Sequence, residues 1–151
     1  MPKSRIAIFV DAENIAARHW REVADHAAAT GTLNLCQIFG DFTEDRLGRW
    51  LDVARTEGLQ PVLQLSGGKN SSDIAMTVAA MDALHAGRVE AIYIVSSDRD
   101  FAPLIRRLRA AGLKVFGFGL ANTPESLRMA CTAFVVLGAD AEVAKFKAAA
   151  G

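Results

Sequence analysis

The sequence predicts an α/β fold, a three-layer sandwich around a mostly parallel central sheet, from three observations. Short apolar runs rich in β-branched residues alternate with longer stretches of helical spacing, six times along 151 residues. The first run, Ile6-Ala-Ile-Phe-Val10, has no polar alternation, as expected of a strand covered on both faces. Glycines stand just past several helical patterns, where a left-handed terminating residue belongs. Strand, helix and parallel strand in succession imply right-handed crossovers, which place helices on both sides of the sheet.

Taken in order, residues 6–10 read as the first strand. Residues 14–29 read as a helix through Ile15, Trp20, Val23 and Ala27. A second strand is predicted over 33–39. A second helix follows over 44–57, with Leu47, Trp50, Leu51 and Ala54 on one face and Gly58 closing it. Residues 61–65 form a third strand. The segment 66–72, Ser-Gly-Gly-Lys-Asn-Ser-Ser, is a loop by composition. Helix three covers 73–86 and strand four 91–95. Helix four covers 101–111, ended by Gly112, and strand five 114–118. A short helix over 124–130 opens on proline, which suits a first turn. A last strand is expected over 133–137. One domain over 1–138 and a helical tail over 139–151 complete the reading, the length being that of a single domain.

Bulk composition narrows the function classes. Lysine plus arginine and aspartate plus glutamate are 17 each, so no global field draws a polyanion. Binding of nucleic acid must then come from a local patch or from metal. No apolar stretch approaches the roughly 20 residues of a membrane span, so no membrane partner is expected. The opening Met-Pro-Lys-Ser-Arg leads straight into a strand, unlike a secretory signal. Cys36 and Cys131 form no CxxC pair, and a reduced cytoplasmic setting is the simplest expectation. In the tail, Val143 and Phe146 share a helical face that either docks on the core or pairs two copies as a homodimer.

The acids give the chemistry. Sites in open α/β sheets form beyond the carboxyl ends of the strands, where strand order reverses. Asp11 directly follows the first strand, Asp98 and Asp100 follow the fourth, and Asp73 opens the third helix. With a strand order of 3-2-1-4-5, as in common doubly wound sheets, Asp11 faces the Asp98/Asp100 pair. Two carboxylates ~4 Å apart repel by ~4 kcal/mol at an effective dielectric of about 20. A cluster therefore requires protons or a cation. Hard carboxylate oxygens without a Cys/His set suit Mg²⁺ or Mn²⁺, and such a site favours phosphodiester chemistry. The amino ends of helices one, three and four should add partial positive charge there. Helix capping is the better account of Asp11, Asp73 or Asp98 taken singly, whereas Asp98-Arg-Asp100 puts two acids in one tight turn; it is the convergence of four that argues for metal.

At these residues the chain resembles the NYN domain family, the LabA-like branch of the PIN-like nucleases. The matching segments are Ile8-Phe-Val-Asp-Ala-Glu-Asn-Ile15, Gly68-Lys-Asn-Ser-Ser-Asp-Ile-Ala75, Ile94-Val-Ser-Ser-Asp-Arg-Asp-Phe101, Gly112-Leu-Lys-Val-Phe-Gly-Phe118 and Pro124-Glu-Ser-Leu-Arg128. The resemblance implies a Rossmann-like, PIN-like sheet and metal-dependent endoribonuclease activity on single-stranded or structured RNA, rather than DNA. It implies that Asp11, Asp73, Asp98 and Asp100 are catalytic metal ligands, that Asn14 supports Asp11, and that Ser96 and Ser97 line the turn. Many relatives carry a small residue, often Gly, where Ser97 stands. Lys69 is a candidate phosphate contact, a solvated loop lysine being an equal reading, and Arg99 either clamps substrate or screens the two acids beside it. Arg106, Arg107 and Arg109 are read as a solvated helix face. Ser126 either approaches the site from the turn after strand five or caps its helix. His19 and His26, seven apart on one helical face, are read as structural. Phe42 is the best candidate for stacking a base.

Other α/β chemistries do not match. Asp11-Ala-Glu-Asn stands where a dinucleotide-binding fold needs G-x-G-x-x-G. Gly68-Lys69 is followed by asparagine, and Leu63 stands at the first P-loop glycine, so no organic or nucleotide cofactor is expected. The remaining alternative is a non-catalytic module binding RNA or protein through the same pocket.

Overall fold

Six strands pair in the order β3-β2-β1-β4-β5-β6, every pair parallel. They are β1 (Ser4–Asp11), β2 (Gly31–Gly40), β3 (Gln60–Leu63), β4 (Ala91–Val95), β5 (Lys114–Gly119) and β6 (Ala133–Val136). The structure, a computed structural model, describes residues 3–65 and 71–139. Among them are the helices α1 (Trp20–Thr30), α2 (Gly48–Glu57), α3 (Ser71–Ala86), α4 (Ala102–Ala110) and α5 (Glu125–Ala130). The order expected for the first five strands holds, and β6 extends the sheet beyond β5.

Period-two alternation divides the core between the two faces of the sheet. Ile6, Ile8 and Val10 of β1 pack with Trp20 and Val23 of α1 and Trp50 of α2. Ala7 and Phe9 turn the other way, toward Met76 and Ala80 of α3 and Leu104, Ile105 and Leu108 of α4. β4 is buried along its whole length. This is why the central strands read as unbroken apolar runs. Cys36 and Cys131 lie in opposite core clusters as free, buried thiols. Burial pushes them up to about 12 and about 11 respectively, which leaves them inert.

The order in which strands are added to the sheet reverses between β1 and β4, and the register of this parallel pair sets the site. Val10 stands beside Val95, so the next residues, Asp11 and Ser96, leave the sheet edge as neighbours. Gly58, Gly87 and Gly112 take positive φ after α2, α3 and α4, as their spacing predicts.

The helix expected over 14–29 is a correction. A 3-10 turn at Ala17–His19 precedes α1, which starts only at Trp20. The backbone amides of Asn14 and Ile15 both bond Asp11 O, and Ala16 is extended at φ −72°, ψ 146°. The turn after β1 is thus built around Asp11, and the amino end of α1 does not stand at the acids. Likewise a 3-10 turn at Asp45–Leu47 delays α2. The loop 66–70, with Lys69, and residues 140–151, with Val143 and Phe146, lie outside the described residues. Among the described residues no helix is long and apolar enough to cross a membrane.

Candidate metal centre

Asp11 ends β1 and is 1 % exposed. Its Oδ2 accepts hydrogen bonds from Asn14 Nδ2 and Ser96 Oγ, both at 3.0 Å. Its Oδ1 is buried and has no hydrogen-bond partner among the described residues. Burial raises the Asp11 carboxyl above its usual range, with the charge of Asp98 adding, while the Asn14 and Ser96 bonds oppose. A buried carboxylate oxygen left unpaired is costly, and native structures rarely hold one without an ion or water to meet it.

Ser96 couples the first acid to the next. Its hydroxyl donates to Asp11 and accepts the Asp98 backbone N–H at 3.1 Å. Asp98 then caps the 3-10 turn Arg99–Phe101, its Oδ1 accepting the Asp100 amide at 2.9 Å. Capping and clustering are therefore not rivals here. A carboxylate offers about four lone-pair sites, and the cap uses one.

Asp73, in the first turn of α3, meets this pair from across the switch point. One carboxylate oxygen from each of Asp73, Asp98 and Asp100 lies within 4.8 Å of the other two. Desolvation first, then the hydrogen bond and charge of Asp98, then Asp11 and Asp100, push Asp73 up to about 7. Asp11 lies outside this triad, one layer deeper, yet near enough to raise Asp73.

The remaining expected site residues divide. Asn14 holds Asp11. Ser97 turns away from the acids: its Oγ accepts the Leu120 amide at 2.9 Å and pairs with Thr123 Oγ1 at 2.9 Å. It ties the β4 turn to the loop after β5. Arg99 is exposed between the two acids, and Ser126 is exposed in α5, whose amino end no side chain caps. Phe42 packs, partly buried, against the core cluster under α1 and α2. Sequence reasoning passed over Glu13, which accepts the Asp41 amide at 2.5 Å through Oε1 and pairs with Arg46 through Oε2. Glu13 thereby joins the loops after β1 and β2; its place two residues past Asp11 was the available signal.

Comparison with known proteins agrees with this architecture. The family model described as NYN domain matches residues 5–138. A crystal structure of a protein of unknown function from Vibrio parahaemolyticus superposes with a TM-score of 0.73 at 21% identity, covering 91% of this chain and 95% of that one. At that identity it speaks for the fold. No curated protein matches the chain.

Proposed function

Because the chain belongs to the NYN domain family, whose members are usually nuclease-like, we propose that it is a metal-dependent endoribonuclease using the Asp73/Asp98/Asp100 triad with Asp11. The observation behind this reading is the unpaired Oδ1 of Asp11 buried beside three converging carboxylates. An all-oxygen, all-carboxylate donor set fits Mg²⁺ or Mn²⁺, and zinc would favour Cys or His ligands that the group lacks.

Asp73, Asp98 and Asp100 would hold the ion, and Asp11 would present Oδ1 toward it. When bound, such a cation polarises a phosphodiester oxygen and lowers the pKa of an attacking water. The chain's own contribution is orientation. Asn14 and Ser96 fix the Asp11 carboxylate plane, and the 3-10 turn fixes Asp98 relative to Asp100. RNA is the proposed substrate and partner, with Arg99 and Lys69 as candidate phosphate contacts.

Asp98→Asn keeps the oxygen that caps the turn and removes the charge. It is expected to abolish Mn²⁺- or Mg²⁺-dependent cleavage of single-stranded RNA, by at least 100-fold, with an unchanged circular dichroism spectrum. Equal cleavage by wild type, variant and chelated protein would place the activity elsewhere. Saturable RNA binding without cleavage under either metal would instead mark a binding module.

A further inference from the structure

We propose that Arg18, Arg46 and Arg49 form a phosphate-binding subsite for the RNA strand, an assignment that rests on the nuclease reading above. The three arginines, with Glu13, line a depression of about 330 Å³ on the α1/α2 side of the turn that follows Asp11. Its floor is Ile15, Leu47 and Trp50, all buried. Trp50 Nε1 is already committed to Ile15 O at 2.7 Å, so the floor is apolar and rigid.

Arg46 is fixed in place. It donates to the Glu13 backbone carbonyl at 3.0 Å and to Glu44 at 2.7 Å, and pairs with the Glu13 carboxylate. Arg18 and Arg49 are exposed, and among the described residues neither forms a salt bridge. Glu13 and Glu44 offset Arg46, so the excess positive charge of this rim rests on Arg18 and Arg49, a local field that an anion would relieve. Planar guanidinium forks match phosphate oxygens.

Asn14 identifies the anion. It lines this depression and also holds Asp11 at 3.0 Å, so the turn after β1 is the wall shared by the arginine pocket and the acid site. The acid triad stands on the α3/α4 side of that turn. An anion that engages both must carry repeated phosphates on one chain, as a single-stranded nucleic acid does.

The test uses the full chain and a single-stranded RNA oligomer over a salt series, with binding measured in an Asp98→Asn background. Each phosphate neutralised on a single strand contributes about −0.7 to the slope of log K against log salt. Arg18→Ala/Arg49→Ala together are expected to flatten that slope by about 1.4. In the otherwise wild-type protein they should raise KM for RNA cleavage at least tenfold with kcat unchanged. Arg5→Ala, which removes one positive charge at the opposite sheet edge, should leave slope and KM as they were. An unchanged slope in the double variant overturns the subsite even if cleavage is normal. A flattened slope without any metal-dependent cleavage upholds the subsite and removes the nuclease reading. Equal flattening by Arg5→Ala, or equal competition by poly-glutamate, overturns the assignment to RNA phosphate.

Discussion

A single hydroxyl group carries much of the site's order. Ser96 Oγ meets Asp11 on one side and the Asp98 amide on the other, so two acids from separate strands share one anchor. Ser96→Ala leaves a buried carboxylate with one donor fewer and an amide without its acceptor. A stability loss of about 1–3 kcal/mol is expected from urea denaturation. Groups that orient metal ligands typically govern affinity by about 10- to 100-fold. Mn²⁺ titration followed by calorimetry should therefore show a loss of that size in Ser96→Ala. An affinity equal to wild type would mean that Asp11 does not contribute to the ion's site. Legibility at this scale was partial. Ser96 and Ser97 are adjacent and look equivalent in sequence, yet one faces the acids and the other faces Leu120 and Thr123. Successive residues leaving a strand point oppositely, and which side holds the acids is a matter of tertiary packing.

Between elements, the link from β4 to β5 depends on having no side chain at Gly119. A Cβ there would stand 2.6 Å from Thr123 Oγ1 and 2.8 Å from Ser97 Oγ. Both atoms belong to the short network that ties the acid-bearing turn to the loop before α5, and Thr123 is itself buried. Gly119→Ala forces that network apart. A cost of about 1–3 kcal/mol is expected, as for other overpacked cores, together with reduced cleavage, because the turn carrying Asp98 and Asp100 is displaced. Unfolding curves and initial rates would check both; wild-type values for each would show that the loop yields freely. Helix starts were the weakest part of the sequence reading for a related reason. Asn14 and Ile15 have helical spacing with Trp20 and Val23, but Asp11 claims their amides for its own turn.

The whole molecule's stability has a pH dependence rooted under α1. His26 Nδ1 meets Tyr93 Oη at 2.6 Å, with the Phe116 and Phe118 rings at 5.4 and 5.1 Å and Thr30 Oγ1 at 3.3 Å. Desolvation lowers the His26 pKa below its usual 6.5. Above pH 6.5 the ring is neutral in both the folded and the unfolded chain, and its full contribution to stability is present. Below 6.5 the unfolded chain takes up a proton first, so stability falls with pH until the lowered folded value is passed. His26→Gln should therefore show a smaller drop in urea midpoint between pH 7.5 and 5 than wild type. Taking the difference between the two proteins removes the contributions of His19 and the acids. Parallel curves would show that His26 protonates as readily in the folded chain as in the unfolded one.

Composition and periodicity by themselves determined the α/β class and the element order, because burial on both faces leaves a local signature in the central strands, β1 and β4 above all. They also brought Asp11, Asp98, Asp100 and Asp73 to the carboxyl edge, since each directly follows a strand or opens a helix. Only the tertiary structure decided that Asp73, Asp98 and Asp100 form the tight triad while Asp11 sits deeper with one oxygen unpaired. The β1–β4 register and the path of α3 set those distances, and both come from long-range packing. The same holds for Arg18, Arg46 and Arg49, which stand far apart along the chain. They share one rim because the 3-10 turn before α1 packs against α2, itself preceded by the turn that carries Arg46.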